Sequence, residues 1–250
     1  MPSPLVLLES AIAFYRKQPV LNRVTVWLLI LPSFCIRLLA RLAALPGETT
    51  FWPAYEPEME WRVLAVILLV LLNVVMLWGE AALLVVGKRL VKSPAGRSRT
   101  SFRAVRAQSA TFIVPILLTS ILRTCFTILW SLLLVVPGVV YLVRTAFFPM
   151  FVVFEKIEYR DALRRSIELV RGRTGRVLLV VLGLAMLLLL LPAIAVGTLG
   201  SAVAGFDTRL LALSDAVSAV VMGFSGMLFT LGLVSLYAHL VETPATEDGR

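Results

Sequence analysis

The chain has 250 residues, 59% of them hydrophobic and only 16% charged, with a mean hydropathy of +0.92. An average soluble domain is about 45–50% apolar and about 25% charged, so charged side chains are too few here to cover a water-soluble surface. The net charge of +9 would suit nucleic acid, but the basic residues sit between apolar runs, with no zinc spacing and no aromatic-interleaved basic face, which points away from that partner.

Residues 4–17 read as a short amphipathic helix with Leu5, Leu8, Ile12 and Tyr15 near one face. It is too short to span and suited to the membrane interface. A first span is expected over 24–45, interrupted by Pro32 and carrying Arg37 and Arg41. The loop 46–60 holds Glu48, Glu56, Glu58 and Glu60 without a basic residue, and Trp52, Tyr55 and Trp61 suit an interface there. A second span, 63–87, contains Glu80, and an acid-free basic stretch from Lys88 to Arg106 follows. Spans over 111–136 and 138–154 are joined only at Pro137-Gly138, which makes them antiparallel neighbours. Between 155 and 176 charge returns, with Tyr159, Leu163, Ile167 and Val170 at helical spacing, so an amphipathic helix is expected on the membrane surface. The fifth and sixth spans are placed at 177–199 and 216–240, and the tail from Glu242 is polar.

The chain therefore reads as one all-α membrane domain of about six transmembrane helices plus interfacial helices. Basic loops on the cytoplasmic side put the acidic loop outside and both termini in the cytoplasm, in a multi-pass cell-membrane topology. No cleavable signal peptide is evident, since the first apolar stretch precedes any basic segment. An amphipathic basic segment, a spanning helix and a return helix recur three times, beginning at Ser10–Gln18, Phe102–Gln108 and Ala162–Arg171. Duplication and the common look of basic flanks both explain that pattern.

The chemistry available is narrow. Cys35 and Cys125 lie in apolar stretches without a CxxC spacing and read as small apolar residues. His239, at the end of the last span, has no second histidine and reads as structural. No nucleotide loop, metal-ligand cluster or nucleophile–base set is present, so no cofactor, no metal and no enzyme activity is expected; Gly172-x-x-Gly175 lacks the spacing and the Lys-Ser/Thr of a phosphate loop. Ala193, Gly197, Ser201 and Gly205, like Ala219 and Gly223, recur at four-residue steps; such stripes pack helices inside a bundle or between copies.

Charges inside the spans carry more information. Arg37, Arg41, Arg123 and Arg144 face one intramembrane acid, Glu80. An arginine near the midplane costs about 2.5–3.5 kcal/mol on insertion scales, so it tends to face a partner or a wet cavity. Arg41 is expected to snorkel, and Arg37 to do so in part. Arg37, Arg123 and Arg144 fall at comparable depth, in the middle to outer part of the bilayer, and form the candidate anion- or lipid-binding set, with Glu80, nearer the cytoplasm, as charge partner. Structural pairing and an anion site stand equally open for Arg123 and Arg144.

The stretch PGVVYLVRTAFFPMFVVFEKIEYRDALRRSIELVRGRTGRV, from Pro137 to Val177, carries Pro137-Gly138, Tyr141, Arg144, Pro149, Glu155, the block Ala162-Leu163-Arg164-Arg165-Ser166 and Val170-Arg171-Gly172-Arg173. This resembles the membrane domain found with some glycerophosphodiester phosphodiesterases and related bacterial membrane families. The Ala11–Arg16 segment is similar to that family's N-terminal element. In the fused proteins hydrolysis belongs to a separate α/β barrel, for which this chain has no room, and metal-assisted hydrolysis needs ligands that one histidine cannot supply. The resemblance implies a bacterial inner-membrane module without the hydrolase. The sequence reading is thus a non-catalytic module in the lipid bilayer. It binds anionic headgroups or organises other membrane proteins, a homo-oligomer among them. The alternative is a small transporter component, which gains from Pro32, Pro115 and Pro192 as helix breakers near a site.

Overall fold

The computed structural model describes residues 1–45, 50, 57–92, 101–133, 135–207 and 210–243. The acidic-loop residues Glu48, Trp52, Tyr55 and Glu56, the basic residues Arg97 and Arg99, and the tail beyond 243 lie outside the described residues. Among the described residues six helical stretches are long and apolar enough to cross a membrane. The chain is an all-α polytopic membrane protein.

Helix α1 (Pro4–Lys17) opens on Ser3, whose hydroxyl accepts from the Val6 amide, and Pro4 occupies the first turn, where a missing N–H costs nothing. The first span, Val20–Leu42, runs through α2 (Val20–Thr25), a π-helical turn (Val26–Ile30) and α3 (Leu31–Leu42). The fifth, Thr174–Phe206, repeats that plan. There α10 (Thr174–Ala185) and α11 (Leu191–Phe206) flank a π turn over Met186–Leu190. In both, the turn ends at a Leu-Pro pair, and the leucine amide reaches back five residues, to the carbonyl of Val26 or of Met186. The wider turn accommodates a ring that would collide with the preceding carbonyl in a regular α-helix. Pro32 and Pro192 therefore sit within continuous spans and break neither. Pro115 lies in the first turns of α6 (Ile113–Leu133), where the Thr119 hydroxyl donates to its carbonyl.

Helix α4 (Met59–Lys92) is the second span and α12 (Leu211–Glu242) the sixth; both extend past the expected ends. Between them come α5 (Phe102–Ala110), the hairpin of α6 and α7 (Val135–Arg144), and α8 (Phe148–Met150) with a π turn over Phe151–Glu155. The predicted antiparallel hairpin is present, and α6 and α7 pack along each other. Pro137 falls in the first turn of α7, not between the helices. Gly138 lies so close to α6 that an added Cβ would be 2.1 Å from the Ser131 hydroxyl.

The fourth stretch is not one helix. It breaks at Thr145–Phe147, because Pro149 has no N–H to continue the ladder. A break among apolar residues must satisfy its own backbone groups. Buried Ser166 does so, accepting from the Phe147 amide at 3.1 Å and donating to the Arg144 carbonyl at 2.7 Å. Lys88 closes the far end by donating to the carbonyls of Val153 and Phe154 at 3.1 and 2.8 Å. Tyr237 of α12 packs its ring 5.5–6.5 Å from Phe147, Phe151 and Phe154 and donates to Glu155 at 3.0 Å.

Two amphipathic helices differ from expectation in what covers them. α1 buries Leu7, Ala11 and Phe14, while Leu5 is exposed; it packs on α12 and α10, with Ser10 and Ser235 hydroxyls 2.9 Å apart. α9 (Tyr159–Val170) buries Ala162, Leu163, Ser166 and Val170 against α6 to α8, with the Tyr159 amide donating to Thr119. The expected apolar face of α9 is thus used inside the protein, whereas α1 is buried along Leu7, Ala11 and Phe14 and leaves Leu5 exposed and Leu8, Ile12 and Tyr15 half-buried on the face expected at the interface. Helix α5 docks on α4, where Trp78 donates to Ser109 at 2.8 Å and Arg106 stacks over the indole. The thrice-repeated order of amphipathic helix, span and return helix is thus present. Each amphipathic helix docks outside its own unit: α5 on the first, α9 on the second, α1 on the third.

The small-residue stripes divide. Ala219 and Gly223 are buried, with Gly223 against Ile30, whereas Gly197, Ser201 and Gly205 face outward. The expected bundle-internal role of that second stripe fails because α11 turns Val196 and Gly200 toward the protein instead.

Candidate functional site

The four arginines meet different fates. Arg41 does not snorkel. It is 9% exposed and forks onto Asp215, itself 1% exposed, through Nε–Oδ2 at 2.5 Å and Nη2–Oδ1 at 3.0 Å. Helix α12 begins four residues before Asp215, so this acid, one residue short of the expected start of the sixth span at 216, is carried on that span. Arg37, one turn from Arg41, reaches the same carboxylate at 4.0 Å with its side chain 42% exposed. Arg37 thus belongs to a charge cluster joining α3 to α12 and not to a set with Arg123 and Arg144.

Arg123 and Arg144 are brought to one level by the α6–α7 hairpin, as expected, but Arg123 turns inward. Its Nε donates to Thr145 at 3.0 Å, its Nη2 to the Leu142 carbonyl at 3.0 Å, and its guanidinium stacks 5.5 Å from the Phe148 ring centre. The Leu142 carbonyl belongs to the last turn of α7, where no intrahelical donor remains. Arg123 therefore serves the broken fourth stretch as a fastener.

Arg144 is exposed, and among the described residues it donates only through Nε, to the Thr174 hydroxyl at 3.3 Å. No carboxylate pairs with it among the described residues. Thr174 opens α10, whose start has no side-chain cap. The amides of Thr174, Gly175 and Arg176 find no acceptor among the described residues. The Thr174 hydroxyl in turn donates to the Val170 carbonyl at 3.4 Å, so the donors left for an anion here are the terminal nitrogens of Arg144 and the amides of the helix start. Arg171, Arg173 and Arg176 flank it in sequence.

Glu80 pairs with none of these. It makes no hydrogen bond or ion pair among the described residues, and the charge of Arg123 acts on it only at longer range. It opens instead onto a cavity of about 440 Å³ between α3, α4 and α12. Its lining includes Ser33, Asn73, Gly226 and Thr230. Sequence reasoning missed this cavity, although Asn73, Met76, Leu77, Glu80 and Leu83 share one helical face. It also missed Asp215, and no local signal marked that acid. Among the described residues no three His, Cys, Asp or Glu side chains gather as metal ligands would. No protein-family model, no curated protein and no solved structure matches the chain.

Proposed function

We propose that this protein is a non-catalytic membrane module that holds an anionic lipid headgroup at its basic end, with Arg144 as the recognition residue. One observation carries the reading: an exposed guanidinium, without a carboxylate partner among the described residues, hydrogen-bonded to the first residue of a long span. With Nε on Thr174, both terminal nitrogens remain to grip a phosphate, which suits the planar fork of arginine. The basic end faces the cytoplasm in this reading, with both termini there, as expected from the distribution of lysine and arginine. The resemblance of 137–177 to membrane domains that accompany phosphodiester hydrolases agrees with a phosphate diester as the group bound.

The test is native mass spectrometry of the full chain after gentle extraction, with phosphatidylglycerol as the added lipid. Arg144→Gln should bind it at least about tenfold more weakly, one decade being 1.4 kcal/mol. Arg144→Lys should lose part of the binding, because charge remains but the fork does not. Arg123→Gln should retain lipid while lowering stability. Full lipid binding by Arg144→Gln would overturn the reading. A second reading, a small transporter component, draws on the Glu80 cavity but loses the argument from broken helices at Pro32 and Pro192.

A further inference from the structure

We propose that the cavity between α3, α4 and α12 is a binding site for a primary ammonium carried on a hydrocarbon body. The polar lining is dominated by oxygen acceptors. The Ser33 hydroxyl donates to the Met76 sulfur at 3.6 Å, Asn73 donates to the Leu69 carbonyl at 2.8 Å, and the Thr230 hydroxyl donates to the Gly226 carbonyl at 3.0 Å. The two hydroxyls spend their hydrogens within the helices, and Asn73 spends one of its two amide hydrogens, so all three keep oxygen lone pairs for the cavity and Asn73 keeps one N–H as well. Glu80 adds a carboxylate with no hydrogen bond or ion pair among the described residues. Arg123, whose charge acts on it at longer range, directs Nε to Thr145 and Nη2 to the Leu142 carbonyl.

Four acceptor groups, one of them anionic, call for a ligand that brings positive charge and N–H donors. A quaternary ammonium brings the charge without the donors, and a neutral alcohol brings a single donor without the charge. The remaining lining is Leu29, Met76, Leu77, Leu83 and Met222, which suits an alkyl or ring body. About 440 Å³ is too large for a bare ion and within the usual range of about 300–1,000 Å³ for small-molecule sites. Gly226 leaves room on the wall: a Cβ built there meets nothing within 4 Å. The site is separate from Arg144, and neither depends on the other.

The full chain in phosphatidylcholine nanodiscs is titrated with n-hexylammonium, and binding is read as a rise in melting temperature against empty discs. Hexylammonium should raise it, while n-hexanol and tetramethylammonium should not at equal concentration. Glu80→Gln should weaken the effect at least about tenfold. Gly226→Leu should fill the cavity and abolish the effect with Glu80 intact, and it decides the matter if Glu80→Gln fails to assemble. Repeating the titration in phosphatidylethanolamine discs separates the sources of the amine: competition there assigns the site to a lipid-borne ammonium, and none assigns it to a soluble one. Equal effects of hexylammonium and hexanol, or an unchanged response in Gly226→Leu, would overturn the proposal.

Discussion

Replacing Asp215 with alanine should be among the most destabilising single changes in this chain. The carboxylate receives two hydrogen bonds from Arg41 and lies 4.0 Å from Arg37, so its removal takes a charge-assisted fork from a buried guanidinium and an acidic neighbour from a half-buried one. Removing one partner of a buried pair costs about 3–5 kcal/mol, because the remaining charge keeps its desolvation penalty. Arg41→Met leaves Asp215 with Arg37, so the loss should be smaller, about 2–3 kcal/mol, and Arg37→Met should cost under about 1 kcal/mol, as expected for a long, partly exposed contact. Joining Arg41→Met to Asp215→Leu should recover much of the loss, since an apolar pair carries no desolvation cost. The assay is reversible unfolding in mixed micelles by denaturing detergent, closed as a double-mutant cycle. If Asp215→Ala falls within 1 kcal/mol of wild type, or if the double change is as damaging as the sum of the single ones, the pair is not what joins α3 to α12.

Four further outcomes are expected. Gly79→Ala would set a Cβ 2.7 Å from the Leu28 carbonyl oxygen and 2.9 Å from the Leu28 Cβ, so it should cost about 1–3 kcal/mol in the same unfolding assay. Gly197→Ala meets nothing within 4 Å and should be neutral or slightly stabilising, by up to about 1 kcal/mol from helix propensity. Tyr237→Phe removes the hydrogen bond to Glu155 but keeps the aromatic cluster, and should cost about 0.5–2 kcal/mol. In a background with Cys35 and Cys125 replaced, Glu58→Cys and Arg160→Cys should react with impermeant maleimide from opposite sides of the membrane; labelling from the same side would break the proposed topology.

The spans were legible because they are local: an apolar run and its basic flanks announce a helix and its ends without reference to anything distant. The hairpin at Pro137-Gly138 was legible for the same reason, and with it the shared level of Arg123 and Arg144. What failed was partner choice. Arg41 and Asp215 are 174 residues apart, and nothing near either one distinguishes a buried pair from a snorkelling cation. Helical spacing likewise showed that 4–17 and 159–170 are two-faced, but periodicity does not say whether lipid or protein covers the apolar side. Proline misled in a different way. Its effect on a helix depends on whether the preceding turn can widen, and runs such as Val26–Ile30 and Met186–Leu190 did widen.

The docking of α1 on α12 has a consequence for biosynthesis. Ser10 meets Ser235 across 225 residues, an interval that a ribosome working at about 5–20 residues per second takes about 11–45 seconds to cover. Throughout that time the first helix made has no α12 to rest on, and its Leu7, Ala11 and Phe14 face needs some other cover. The bilayer surface is a ready one, so this helix has a resting place on lipid before it has one on protein.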